Sequence, residues 1–262
     1  MIRVVKIGGN IVDHPEALDR FCQLFAQLEG PKVLVHGGGV KASQIQKDLG
    51  LKPVMIEGRR VTDLKTLSVV TMVYAGWCNK TIVALLQKYG CNALGLSGCD
   101  ASVIRARRRG PKTLADGFSS VDYGYVGDVS PASFNIPFIR GLVSRGIVPV
   151  FSPINHDGNG QLLNTNADTI AASLAAALCG ELVYCFEKAG VLFDKDDDSS
   201  VIAKMDTELY GRLKKEGRIA EGMVPKLDNA FGALKNGASR VVVKHALDLL
   251  EETGTRLDPD TL

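Results

Sequence analysis

No two of the six cysteines (Cys22, Cys78, Cys91, Cys99, Cys179, Cys185) form a C-x-x-C pair, so the chain offers neither a zinc-finger spacing nor a disulfide framework. Scattered thiols of this kind fit a reducing, cytoplasmic setting in which most are buried. An excess of one charge is lacking too. Thirty-one Lys and Arg against 29 Asp and Glu leave a net charge of +2, which gives no general case for nucleic acid or a membrane surface. Aromatics make up 6%, with one tryptophan. None of them interleaves the run Arg105, Arg107, Arg108, Arg109, which therefore reads as a solvated hairpin face. No apolar run reads as long enough to span a membrane, and the N-terminus enters a strand pattern without a signal-peptide profile. The acidic loop with Asp194, Asp196, Asp197 and Asp198 lacks the glycine and terminal glutamate of an EF-hand, and no metal-ligating cluster is found.

Short apolar runs alternate with stretches of helical periodicity. Strands are expected near residues 2–5, 32–36, 54–57, 92–96, 147–151, 181–186 and 240–243. Helices are expected near 15–28, 40–49, 62–89, 137–145, 166–179, 206–216, 225–236 and 246–252. Between 103 and 128 the pattern shifts to alternation broken by Gly110-Pro111, Asp116-Gly117 and Gly124, which predicts a hairpin excursion from the main sheet. Residues 155–160 read as a turn-rich loop. With 45% hydrophobic residues, the chain builds one large α/β domain or two lobes. Trp77, with Tyr74 and Met72, is expected in the core of the long helix, with a dimer contact as the alternative.

Five short motifs carry chemistry. Lys6-Ile7-Gly8-Gly9 follows the first strand; paired glycines let backbone amides approach an anion, and the lysine adds a point charge. His36-Gly37-Gly38-Gly39 follows the second. It fits a second anion cradle, or a loose dinucleotide fingerprint completed by Ala42 and Glu57; an esterase loop is disfavoured because no G-x-S-x-G follows anywhere. Gly58-Arg59-Arg60-Val61-Thr62 places an arginine in a glycine-led loop, suited to gripping a carboxylate or simply solvated. In Asn164-Thr165-Asn166-Ala167-Asp168, Asn166 caps a helix and Asp168 occupies its first turn, as a dipole-favoured aspartate or as a carboxylate at the strand-end crevice. Gly222-Met223-Val224-Pro225-Lys226 puts a lysine at a helix N-terminus, where a cation is misplaced unless an anion sits there.

In this order the five motifs resemble the amino acid kinase family, over nearly the whole chain, and look most like its members that phosphorylate N-acylated glutamate in arginine biosynthesis. The resemblance implies a three-layer αβα sandwich with a mainly parallel central sheet. Residues 1–180 would bind the acylated amino acid and carry the dimer contact, and residues 181–262 would bind ATP, with Mg²⁺. Lys6 and Lys226 would contact the transferring phosphoryl group, organised by Asp168. Gly37, Gly38, Gly39, Arg60 and Asn164 would hold the N-acyl-L-glutamate. Gly8 and Gly9 would lie along the phosphates, and Glu187, Lys188, Gly190, Leu192, Arg218, Ile219 and Gly222 would border the nucleotide. A homodimer insensitive to arginine is expected, since arginine-sensitive relatives add a helix ahead of the first strand. The chain departs from the family at Glu187-Lys188, where many members have Asp-Val, at Pro225, and at the bulky Trp77-Cys78. The acyl group, acetyl or succinyl, is not legible. Kinases of glutamate, aspartate, UMP or carbamate, a non-catalytic sensor and a dinucleotide-binding protein remain the alternatives.

Overall fold

The computed structural model describes residues 1–113, 120–194, 196–220 and 222–259. The chain opens with strand β1 (Arg3–Ile7), and helix α1 (Gly9–Asp13) begins directly at the glycine turn rather than at Pro15. Helix α2 (Pro15–Gln27), strand β2 (Lys32–His36) and helix α3 (Gly39–Asp48) follow. Strands β3 (Met55–Ile56) and β4 (Arg59–Arg60) form a tight hairpin. Glu57 (φ 47°) and Gly58 (φ 72°) occupy its two central positions, the double left-handed geometry that two-residue hairpins favour. Arg60 therefore sits on a strand and not in a loop.

Helix α4 (Leu64–Thr71) is capped by Asp63, whose carboxylate accepts from Thr66 N–H at 2.7 Å. It runs through a π-helical stretch, Met72–Cys78, into α5 (Asn79–Lys88). The combined helix, Leu64–Lys88, has 25 residues and is apolar enough to cross a bilayer by length and composition, which corrects the expectation that no run approaches that length. In the fold, Leu67, Val70, Ile82 and Leu86 on it are buried in the core beside the sheet.

Strand β5 (Ala93–Leu96) precedes the expected excursion, which consists of β6 (Arg107–Arg108), β7 (Lys112–Thr113), β8 (Ser120–Val121) and β9 (Val126–Asp128); its Asp116-Gly117 turn lies outside the described residues. Helix α6 (Ile136–Ser144) and strand β10 (Val148–Phe151) come next. The loop expected at 155–160 is instead the turn of a hairpin between β11 (Ile154–His156) and β12 (Leu162–Thr165). Helix α7 (Ala167–Leu178), strand β13 (Glu181–Phe186), strand β14 (Lys204–Met205), helices α8 (Thr207–Lys215) and α9 (Val224–Lys235), and strands β15 (Arg240–His245) and β16 (Thr255–Leu257) complete the chain. The helix expected at 246–252 is a 3₁₀ turn of three residues, Ala246–Asp248. β14 and β16 carried no run long enough to mark them as strands.

The main sheet has the order β14-β16-β15-β13-β1-β2-β10-β5, and every neighbouring pair is parallel except β15 with β16. Side chains alternate across it. Val4, Val33, Val35, Phe151, Leu182, Tyr184 and Val241 face a core built with α6 to α9. Val5, Ile7, Leu34, Val150, Val183 and Cys185 face a core built with α1 to α5. The architecture is the αβα sandwich, with both faces covered as a parallel sheet requires. The smaller sheet β11-β12-β9-β6 packs at one end. Trp77 is 66% exposed, against the expectation of a core position. Cys22, Cys78, Cys91 and Cys185 are buried free thiols, whereas Cys99 and Cys179 are exposed.

Candidate active site

The sheet fixes where a site can form. Parallel strands end together at one edge, and each helix that follows points its N-terminus back at that edge. Here the first residues of α1 (Gly9, Asn10), α3 (Gly39, Val40) and α7 (Ala167, Asp168) line one cavity of about 440 Å³, together with Lys226 from the first turn of α9. Four converging helix starts favour a negatively charged occupant. The cavity is also lined by the cations Lys6, Arg59, Arg60 and Lys226 and by a single carboxylate, Asp168.

Lys6 is carried inward at the end of β1 and is buried; its Nζ lies 2.6 Å from Asp168 Oδ1. Asp168 is held from behind, because Tyr184 donates its hydroxyl to the Asp168 carbonyl at 2.8 Å, and Asn166 caps the same helix through Thr169 N–H at 3.0 Å. Lys226 makes no ion pair among the described residues. Its Nζ stands over the Phe186 ring, 4.1 Å from the centroid, and Lys6 Nζ stands over the same ring at 5.5 Å. Burial lowers the pKa of Lys226, and the charge of Lys6 lowers it further, with Asp168 and Glu187 opposing. Two ammonium groups and one carboxylate are thus gathered where the end of β1 meets the first turns of α7 and α9.

The second cluster surrounds Arg60. Its guanidinium is buried, donating to Gln46 Oε1, to the Gly39 carbonyl at 2.9 Å and to Ser43 Oγ at 2.7 Å. Among the described residues every acceptor is neutral and no counter-ion pairs with it, so its face toward the cavity suits a carboxylate. Asn164 also lines the cavity and donates to Thr62 Oγ1 at 3.0 Å. Gly38 has φ 156°, and a Cβ there would lie 3.0 Å from both Cys78 Sγ and Tyr74 Cδ1. Only glycine fits.

Of the residues expected from sequence, Lys6, Gly8, Gly9, Gly37, Gly38, Gly39, Arg60, Asn164, Asp168 and Lys226 line this one cavity. Glu187, Lys188, Gly190, Leu192, Arg218, Ile219 and Gly222 do not. Lys188 pairs with the exposed Asp198 at 2.5 Å, Gly190 is closed in by Thr255, and Ile219 is buried in the core. Arg218 stacks over Phe193, 4.1 Å to the centroid, which brings together the two loops expected to border a nucleotide. Glu57, the acidic residue of the dinucleotide reading, is engaged by Lys112 at 2.7 Å on the hairpin and does not line the cavity.

Sequence reasoning missed Phe186, Arg59, Thr165, Ser43 and Gln46. Ser43 and Gln46 lie three residues apart on α3, a spacing that puts both on the face below Arg60; Arg59 and Thr165 stood inside motifs already singled out, and Phe186 had no local signal. Arg59 lines the cavity, makes no ion pair among the described residues, and has its pKa lowered first by burial and then by Arg109.

The sequence profile of the amino acid kinase family matches residues 1–245. The acetylglutamate kinase of Cytophaga hutchinsonii is 50% identical, covering 95% of this chain and 92% of that protein. That of Bacteroides fragilis is 48% identical, covering 98% and 96%. Among solved structures, a Streptococcus mutans protein superposes with a TM-score of 0.78 at 25% identity, covering 99% of both chains.

Proposed function

Since the chain belongs to the amino acid kinase family, we propose that its cavity transfers the γ-phosphoryl group of ATP to the γ-carboxylate of an N-acyl-L-glutamate. The observation that carries this reading is that two separate cationic groups line one cavity: a buried Arg60 whose acceptors among the described residues are neutral, and the Lys6–Asp168 pair with Lys226. A substrate with two carboxylates suits both groups. Arg60 holds the α-carboxylate, and the γ-carboxylate meets the phosphoryl group beside the lysines.

A carboxylate is already ionised at neutral pH, so no general base is required. Catalysis consists of aligning two mutually repelling anions and stabilising charge on the phosphoryl oxygens. Lys6 and Lys226 supply that charge, the glycine turns supply amides, and Asp168 fixes Lys6. Mg²⁺ would arrive with the ATP and neutralise charge on its phosphates.

Residues 1–180 form the acyl-amino-acid side and residues 181–262 the ATP side, with β13 and α9 contributing the nucleotide-facing elements. Leu64, Met72 and Trp77, all strongly exposed on one helix, support a homodimer through that surface, which light scattering tests. The buried thiols suit a reducing cytoplasm.

The acyl group is acetyl on the precedent of the relatives' names. A second reading has its own observation: the Arg59 guanidinium in the cavity, which makes no ion pair among the described residues, suits an acyl group bearing a further carboxylate, such as succinyl. ATP consumption measured with acetylglutamate, succinylglutamate, glutamate, aspartate, UMP and carbamate tests both readings. Turnover of either acylglutamate alone supports the function. Turnover only of an unacylated substrate overturns it.

A further inference from the structure

Two buried polar side chains outside the cavity reach one of its glycines. His36, fully buried at the end of β2, has its pKa lowered by burial to about 4, so the ring is neutral near pH 7 and carries one proton. Its Nδ1 lies 2.7 Å from the Gly37 carbonyl oxygen. A carbonyl only accepts, so the proton is on Nδ1, and Nε2 must accept. Its partner is Asn79 Nδ2 at 3.1 Å, whose second hydrogen goes to the Val150 carbonyl at 2.9 Å. Every proton of the chain Asn79–His36–Gly37 is thereby assigned.

The fold makes room for this chain inside the protein, where His36 and Asn79 are both buried. Asn79 follows directly on the π-helical stretch and is 1% exposed; such stretches recur at functional sites. A Cβ on Gly95 would stand 2.0 Å from Asn79 Oδ1, so β5 carries glycine where Asn79 enters. Burying an amide and an imidazole costs free energy that apolar packing would avoid.

The consequence lies at the next peptide. The bond between Gly37 and Gly38 is planar and trans, so its N–H points opposite to its C=O. The C=O is held on the buried His36 ring. The Gly38 N–H therefore faces away from that ring, on a residue that lines the cavity, and it donates to nothing among the described residues. The turn is braced beside Lys6, since Gly37 N–H donates to the Ile7 carbonyl at 3.3 Å.

We propose that His36 and Asn79 are positioning residues that lock the Gly37–Gly38 peptide with its N–H presented to the anion in the cavity. The claim for turnover rests on the kinase reading, whereas the hydrogen-bond chain does not.

Two measurements test it. The ¹⁵N spectrum of histidine-labelled protein near pH 7 should show His36 protonated at Nδ1 and bare at Nε2. Protonation at Nε2, or at both, overturns the proposal whether or not the enzyme reading holds. In kinetics, His36→Asn keeps a donor near Nδ1, whereas His36→Gln places its amide near Nε2. His36→Gln should lose about 10²-fold in kcat, the scale of a small misplacement of a reacting group, with the KM for ATP and the melting temperature held. His36→Asn should retain most of the activity. Equal losses in both variants, or kcat and stability falling together, would make the role merely structural. If no substrate is turned over, the Gly38 amide resonance serves instead, and it should move when N-acetylglutamate is added to wild type but not to His36→Gln.

Discussion

Lys6 Nζ and Asp168 Oδ1 lie 2.6 Å apart at the edge where β1 ends and α7 begins. The ion pair joins residues remote in sequence, while Lys226, over the Phe186 ring, makes no ion pair among the described residues. Removing either lysine should lower kcat by on the order of 10²–10³ with smaller changes in KM, because the charge they stabilise redistributes during transfer. The double Lys→Ala variant should cost less than the product of the singles. Steady-state kinetics on folded variants decides this, and a lysine variant with near-normal kcat would remove that residue from the mechanism.

The depressed pKa of Lys226 has a sign that can be read in a pH profile. The group loses its proton at lower pH than a free lysine, so the alkaline limb of kcat/KM, which reports the free enzyme, should fall below the ordinary lysine range of about 10.4. Asp168 opposes the depression, so Asp168→Asn should move that limb to still lower pH. A limb unmoved by the substitution would show that another group controls it.

Arg60→Ala removes a buried charge-assisted contact worth about 1.5–3 kcal/mol. The KM for the acylated amino acid should rise about 10- to 150-fold while that for ATP stays nearly constant. An unchanged substrate KM would reassign the arginine to structure, where its bonds to Gln46, Ser43 and Gly39 already give it a place.

His36 should make stability depend on acid. Its folded pKa of about 4 lies below the unfolded value of 6.5, so the unfolded chain binds the proton more readily. Its contribution is complete above pH 6.5 and is lost as pH falls toward 4, by about 3 kcal/mol in all. Urea unfolding of wild type and His36→Asn at pH 7, 5.5 and 4.5 should show a shallower decline in the variant; parallel declines would contradict the assignment.

Gly38→Ala forces a side chain onto φ 156° and against Cys78 and Tyr74. The substitution should cost of order 1–3 kcal/mol, measured by chemical denaturation. Cys78→Ala in the same chain should relieve only the contact with Sγ and leave both the contact with Tyr74 and the backbone strain.

The sequence by itself determined the alternation of strands and helices, the glycine turns after β1 and β2, and the residue types that carry charge at the cavity. Those signals are local: apolar periodicity reports which face is buried, and a glycine pair after a strand reports where backbone must approach a ligand. It misjudged elements whose stability comes from neighbours. β14 and β16 exist because the edge of the sheet offers them unpaired backbone groups, and Trp77, in the π-helical stretch, is exposed although the helix that carries it is apolar. Only the tertiary structure decided that Lys6, Asp168 and Lys226 meet over Phe186, that neutral acceptors alone hold Arg60, and that His36 turns away from the cavity to grip the Gly37 carbonyl. Each depends on distances between residues far apart in the chain, which the register of a parallel sheet sets and no local pattern encodes.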